Sequence, residues 1–294
     1  MIKDITVFTP TYNRGELLTN LYESLIKQTY KNFEWIIYDD GSIDNTEQIV
    51  EKLKADRLIE IIYVKSANMG KHVAMNKGAD IAKGELFFVV DSDDILTEDA
   101  LKTIVDAWNS IPVNERSEYS GIGALKGGFD KKSITKTLNE QFIDANYIDF
   151  SFYMGYTQDK AEIYVTEIFK KYKFPVFEGE NFMTEIVVFL KIAEQGYKMR
   201  WVNKVVYQCE YKEDGLSKNS FKVRLKNING TVHAYNLISS YKLPSKVLIR
   251  YKANYFRFGF HKKSGLVKLK NELIDKKYWS VASILGWVLY KKDK

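Results

Sequence analysis

The chain runs to 294 residues, 45% hydrophobic and 14% aromatic, which suffices for one large α/β domain with appendages or for two modest domains. Its single cysteine, Cys209, excludes an internal disulfide and suits a reducing compartment, and no run approaches the ~20 apolar residues that a membrane-spanning helix needs. The net charge of +6 is unevenly held: residues 218–294 carry 18 Lys/Arg against three acids, and residues 1–217 carry 26 against 35.

In chain order, the opening "MIKDITVFTP" lacks the pattern of a secretion signal, so a cytoplasmic protein is expected. "ITVFT" (5–9) reads as a buried strand. Residues 15–28 then place Leu17, Leu18, Leu21, Leu25 and Ile26 on one helical face. The pattern repeats with a strand at 33–39, a helix at 44–54 opened by Asp44, a strand at 58–64, a helix at 70–83 and a strand at 85–91. Such alternation with short links predicts an α/β fold whose mostly parallel central sheet is flanked by helices. Further on, 121–130 reads as a strand and a glycine-bearing loop, 161–169 as a strand, 181–196 as a helix ending at Gly196, and 198–211 as a strand. Beyond Leu216 the pattern is helical almost to the end, interrupted at Pro244 and Gly265. The expected organisation is a domain over 1–216, with halves 1–110 and 111–216, and a basic helical extension over 217–294.

In parallel sheets ligands bind at the carboxyl ends of the strands. Four polar clusters lie there: "TPTYNR" (9–14), "DDGSIDNT" (39–46), "SANMGK" (66–71) and "DSDD" (91–94). Strand alternation sends Asp91 and Asp93 to one side, with Ser92 between them and Asp94 in the turn beyond. Carboxylates so crowded invite a hard divalent cation, Mn²⁺ or Mg²⁺, completed by substrate phosphates. The plainer reading is a solvated acidic turn that caps the helix in "TEDALKTIV" through Thr97 or Asp94. Thr9 and Tyr12 are candidates to bond and stack a nucleobase, and Asp40 to accept from the imide of uracil or the amide of another base. Asn68, Gly70 and Lys71 precede a helix, where free N–H groups favour an anion. His72 is given no role.

The set "TPTYNR…L…SL..Q.Y..FEWIIYDDGS.DNT" followed by "N.G…A.N.G…A.GE…..DSDD" resembles the family 2 glycosyltransferases, with their nucleotide-diphospho-sugar-binding GT-A fold, over residues 5–110. The resemblance implies that Thr9, Tyr12 and Asp40 hold the nucleoside. It places Asp91, Ser92, Asp93 and Asp94 at the ribose, diphosphate and metal, with Asp93 and Asp94 as metal ligands. It implies an inverting displacement in which an acceptor hydroxyl attacks the anomeric carbon of a UDP-sugar and expels the nucleoside diphosphate. The family commonly sets an acidic pair at the start of a helix that ends in a glycine turn. Counted back from "AEQGY", that pair falls on Thr184-Glu185, so Glu185 stands in the base position, with Glu178 and Glu180 as substitutes. The implied acceptor is a glycan or lipid-linked hydroxyl of bacterial surface polysaccharide.

Two other classes compete. A nucleotidyltransferase making such sugars would carry a glycine-rich basic phosphate loop after the first strand, which "TPTYNR" is not. A nucleic-acid-binding module would use the lysines and aromatics of "RYKANYFRFGFHKK" (250–263), but no recognisable motif supports it, the acidic front opposes it, and no nucleic-acid partner is expected. The last segment, "KKYWSVASILGWVLYKK", has two readings. Either it lies in the interface of an anionic membrane, or it packs on the core of the tail.

Overall fold

A computed structural model of the chain describes residues 3–130, 132–209 and 219–294. The front contains β1 (Lys3–Thr11), α1 (Gly15–Ile26), β2 (Phe33–Asp39), α2 (Thr46–Ala55), β3 (Ile61–Lys65), α3 (Lys71–Ile81) and β4 (Gly84–Val89). These strands are parallel in the order β3-β2-β1-β4. Strand alternation divides their side chains between two cores. Phe8 and Ile36 pack with Ala74 and Met75 of α3, whereas Val7, Trp35 and Ile37 pack with Leu18, Leu21 and Leu25 of α1 and Val50 of α2. Being covered on both faces, β2 is buried along its whole length.

The boundaries shift where local chemistry intervenes. The strand expected at 58–64 begins at Ile61, because Arg57 takes a positive φ of 53° and Leu58 turns outward, 64% exposed. Asp44 is not the cap of α2, a position that Asn45 holds; one residue earlier, it accepts from the Thr46 N–H at 3.1 Å and from the Gly15 N–H at 3.4 Å, so it ties two helix starts together.

The second half adds β5 (Ile95–Leu96), α4 (Ala100–Asn109), β6 (Tyr119–Gly127), β7 (Phe142–Ala145), β8 (Lys160–Val165), α5 (Thr166–Lys171), α6 (Ile186–Glu194) and β9 (Lys198–Gln208). The sheet continues β4-β8-β6-β9-β5, with β7 also on β9. Here β8 runs antiparallel to both β4 and β6, while β6 and β9 are parallel. The strand expected over 161–169 stops at Val165: the Thr166 hydroxyl donates to the Gly84 carbonyl at 2.6 Å, and α5 starts there. The helix expected from 181 starts at Ile186. Its would-be first turn is held out of helix because the Asn181 and Phe182 N–H groups donate to Asn227 Oδ1 at 2.7 and 3.1 Å.

The tail contains α7 (Ser220–Lys226), α8 (Ile228–Ile238), α9 (Ser245–His261), α10 (Leu266–Glu272) and α11 (Trp279–Lys292). The expected boundary at 216/217 and residues 210 and 211 of the expected strand lie outside the described residues. The tail has a core of its own, with Phe256, Phe258, Leu269 and Ala282, yet Ala234, Ile238 and Leu248 belong to the core under α3 and α6. Glu180 caps α8, accepting from the Asn229 and Gly230 N–H groups at 2.7 Å each. The helices of the tail are thus built onto the half that follows residue 110. Among the described residues no helix is long and apolar enough to cross a membrane.

Candidate functional site

The carboxyl ends of β1, β2 and β4 open onto a cavity of about 770 Å³, lined among others by Tyr12, Asp40, Lys71, Asp91, Glu162 and Glu185. It begins at the rim, where Tyr12 is 46% exposed with its ring free to stack, and Asn68 is exposed beside it. Asp40 is buried at the end of β2. Its two carboxylate oxygens accept from the Met69 and Gly70 N–H groups at 2.8 and 2.7 Å, which fixes the loop in front of α3. Burial raises its pKa, and those two donors oppose the rise. Gly70 is required in that loop: its φ is 94°, and a Cβ there would lie 2.0 Å from the Asn181 carbonyl oxygen.

Gly70 starts α3 so that Lys71 enters the cavity at its centre. The Lys71 ammonium lies 2.6 Å from Asp91 Oδ1 and 2.7 Å from Glu185 Oε1. Removal from water opposes its charge, but the two carboxylates outweigh this and raise its pKa. Asp91 moves the opposite way: burial is overcome by Lys71, Lys126 and Arg14, which hold it below the usual carboxylate range. Glu185 stands one residue before α6, on the segment that Asn227 pins.

The rest of the acidic turn is also met by partners from the protein. Arg14 Nη1 lies 3.1 Å from Asp93 Oδ1. The Tyr207 hydroxyl donates to Asp94 Oδ2 at 2.7 Å and accepts from the Asp91 N–H at 2.9 Å, so β9 clamps the end of β4. Burial, with some help from Asp91, pushes the Asp94 carboxyl up to about 6.

Several expectations need correction. Thr9 is fully buried and its hydroxyl accepts from the Trp35 indole N–H at 2.9 Å, so its side chain belongs to the sheet and not to a nucleoside site. Ser92 is 2% exposed and does not line the cavity. Asp94, buried under Tyr207 and likewise off the cavity wall, supports the turn from behind instead of facing a metal. It does not cap α4 either; Asp99 occupies that position. Glu180 is engaged in capping α8, which removes it as a substitute base.

Other cavity residues were not anticipated. Lys126 of β6 sits 4.0 Å over the Tyr207 ring, and Lys160, Glu162 and Tyr164 share one face of β8. Arg224, Tyr235 and Tyr251 bring the tail into the same wall. The signal for β8 was present in "KAEIY": charged residues alternating with apolar ones in a buried strand mark a face that meets something polar.

Among the described residues no group of three or more His, Cys, Asp or Glu side chains is placed to hold a metal alone. A hard divalent cation needs fewer, since Mg²⁺ takes one or two carboxylates with substrate phosphates and water. Asp91 faces the cavity, while Asp93, two residues on, is like Ser92 and Asp94 not part of its wall; both are already balanced by cationic side chains. Those two oxygen donors fit Mg²⁺ or Mn²⁺ accompanied by a diphosphate.

Comparison with known proteins gives the same region. Residues 6–114 match the family described as Glycosyl transferase family 2. Glycosyltransferase GlyG of Streptococcus pneumoniae serotype 4 is 39% identical over 101 residues, 34% of this chain and 33% of its own. The poly(ribitol-phosphate) beta-N-acetylglucosaminyltransferase TarP of Staphylococcus aureus is 31% identical over 174 residues, 58% of this chain and 50% of its own. The matches therefore span a third to a half of these relatives. Among solved structures, S. aureus TarS in complex with UDP-GlcNAc superposes with a TM-score of 0.62 at 18% identity, covering 99% of this chain and 91% of that one. The mannosyltransferase PcManGT from Pyrobaculum calidifontis, in complex with GDP-Man and Mn²⁺, gives 0.57 at 17% identity, with 99% and 87% covered. At those identities the likeness is one of fold.

Proposed function

The front of this chain is a family 2 glycosyltransferase domain within a GT-A α/β fold, and from that premise we propose that the protein is an inverting glycosyltransferase. It moves a sugar from a UDP-sugar to a hydroxyl of a glycan or lipid-linked acceptor in bacterial surface polysaccharide synthesis. The observation that carries the proposal is the Lys71 ammonium shared between Asp91 and Glu185. One cation joins the acidic strand end, where a diphosphate departs, to the carboxylate in the base position. A single displacement needs these two functions on opposite sides of one anomeric carbon.

In this reading Tyr12 stacks on the base and Asp40, held by its two backbone donors, accepts from the base edge. Lys71 meets the diphosphate and keeps Glu185 directed across it. Glu185 takes the proton of the acceptor hydroxyl as the hydroxyl oxygen bonds to the anomeric carbon and the sugar–phosphate bond breaks. Asp91 and Asp93 would hold Mn²⁺ or Mg²⁺, which when bound supplies positive charge to the leaving diphosphate. The complexes of TarS with UDP-GlcNAc and of PcManGT with GDP-Man and Mn²⁺ support a nucleotide-sugar donor and a divalent cation.

We place the enzyme against the cytoplasmic membrane face. What supports this is α11, which buries its small residues Ala282, Ser283 and Gly286 against the tail and turns Val281, Ile284, Leu285, Trp287 and Val288 outward, with lysines at both ends. A panel of UDP- and GDP-sugars, assayed for nucleotide release with Mn²⁺ or with chelator, tests the activity. Release from at least one UDP-sugar, abolished by chelator, is expected; no release from any donor would contradict the proposal.

A further inference from the structure

The cavity also reaches β8, the strand next to β4 in the sheet. The cavity face of β8 carries Lys160, Glu162 and Tyr164, with Tyr147 alongside. The aromatic walls are fixed: the Tyr147 ring lies 5.4 Å from Phe189 and 6.1 Å from Trp201, and the Tyr164 ring 5.2 Å from Phe189. Lys160 is fixed as well, its ammonium donating to the Tyr156 and Gln158 carbonyls at 3.0 and 2.9 Å.

Two polar groups in this frame are not committed. Among the described residues the Glu162 carboxyl makes no hydrogen bond or ion pair, although it lines a cavity next to two lysines. The Tyr164 hydroxyl is buried with no hydrogen-bond partner. Buried polar groups in folded proteins are nearly always paired, so the idle Tyr164 hydroxyl, with half-buried Glu162 on the same strand face of the cavity, is waiting for a ligand.

We propose that the β8 side of the cavity receives the ring of the transferred sugar, and that Glu162, with Tyr164 beside it on the strand, sets which donor sugar is accepted by hydrogen bonding to a ring hydroxyl or amide. The proposal rests on the glycosyltransferase reading above. The choice of donor over acceptor follows from the order of groups along the sheet. In the sheet order β2-β1-β4-β8, Asp40 follows β2 at the nucleoside, Asp91 follows β4 at the diphosphate, and β8 comes next, at the sugar. Burial pushes the Glu162 carboxyl up to about 7, against the charges of Lys160 and Lys126. Near neutral pH it therefore offers both a donor and an acceptor to a hydroxyl-bearing ring.

The test compares wild type, Glu162→Gln and Tyr164→Phe on UDP-sugars that differ in one hydroxyl configuration or in an N-acetyl group. Thermal stabilisation by UDP alone reports that each variant is folded with its nucleoside end intact. The expected result is an unchanged UDP response and about a 10–10²-fold fall in kcat/KM for the preferred donor. The ratio between donors should shrink by about tenfold or more, because a site built to bond a polar group rejects analogues lacking it. Tyr164→Phe removes only an oxygen without a partner, so it folds even if the Glu162 variant does not, and should narrow the same ratio. Equal losses on every donor, or a change confined to the acceptor KM, would overturn the proposal. A wild type that turns over no nucleotide-sugar contradicts the underlying reading; an active wild type whose variants keep the donor ratio contradicts this one alone.

Discussion

At the scale of single residues, the acidic turn of "DSDD" poses an electrostatic problem that the folded chain already answers in part. Asp91 is met by Lys71, Asp93 by Arg14 and Asp94 by the Tyr207 phenol. Those partners come from elements as far as 113 residues away along the chain, so the local sequence could reveal the carboxylates but not what balances them. Thr9 shows the same limit from the other side: it sits in a recognisable cluster, but the Trp35 indole, 26 residues on, takes its hydroxyl inward. Lys71→Met should leave Asp91 and Glu185 facing each other without their shared cation. Removing one partner of a hydrogen-bonded charge group costs on the order of 1.5–3 kcal/mol, so kcat/KM should fall about 10–10²-fold, with weaker UDP binding by calorimetry. A second residue-scale consequence concerns pH. The Glu162 carboxyl rises from 4.5 to about 7 on folding, so the stability tied to its protonated form is complete below about 4.5 and is lost as pH climbs to about 7. Glu162→Gln should therefore melt increasingly above wild type as pH is raised from 5 to 8, by scanning calorimetry; a constant offset would contradict the assignment.

At the scale of elements, the front was legible because each strand there is apolar through its length and each helix carries one stripe, as parallel strands covered on both faces require. Residues 111–209 were harder. β8 is antiparallel and half polar, α5 follows it without a link, and the turn before α6 is set by Asn227 from the tail, a contact no local pattern contains. The helix α11 inverts the usual arrangement, small residues in and large ones out. Gly286 permits this approach: a Cβ there would lie 2.5 Å from the Ala253 carbonyl oxygen. Gly286→Ala should overpack the α9–α11 contact and cost about 1–3 kcal/mol, measurable as a lower urea midpoint. In contrast, Ile284 and Trp287 are 65% and 51% exposed, so replacing both with serine should leave the melting temperature nearly unchanged. The same double variant should lose co-sedimentation with vesicles rich in anionic lipid. Equal sedimentation by wild type and variant would return α11 to a purely structural role.

At the scale of the whole molecule, an acidic front and a basic tail were evident from charge, but their union was not. The tail was expected as an extension; its helices instead wall the cavity with Arg224, Tyr235 and Tyr251 and steady the segment that carries Glu185. Asn227 is the hinge of this union, buried and accepting from two N–H groups of that segment. Asn227→Ala leaves both donors without a partner, at about 1–3 kcal/mol each if they stay dry. It should lower kcat through the segment that carries Glu185, and UDP affinity with it, since Asn181 packs against Gly70 of the loop that Asp40 fixes. In the proposed mechanism Glu185, across Lys71 from Asp91, takes the proton of the acceptor. This step is tested most directly by the kcat of Glu185→Gln beside its dissociation constant for UDP, once the donor screen has fixed the substrate. General-base catalysis contributes roughly 10²–10⁴-fold, so kcat should fall by that order while UDP affinity holds. A kcat within a few-fold of wild type would contradict the account.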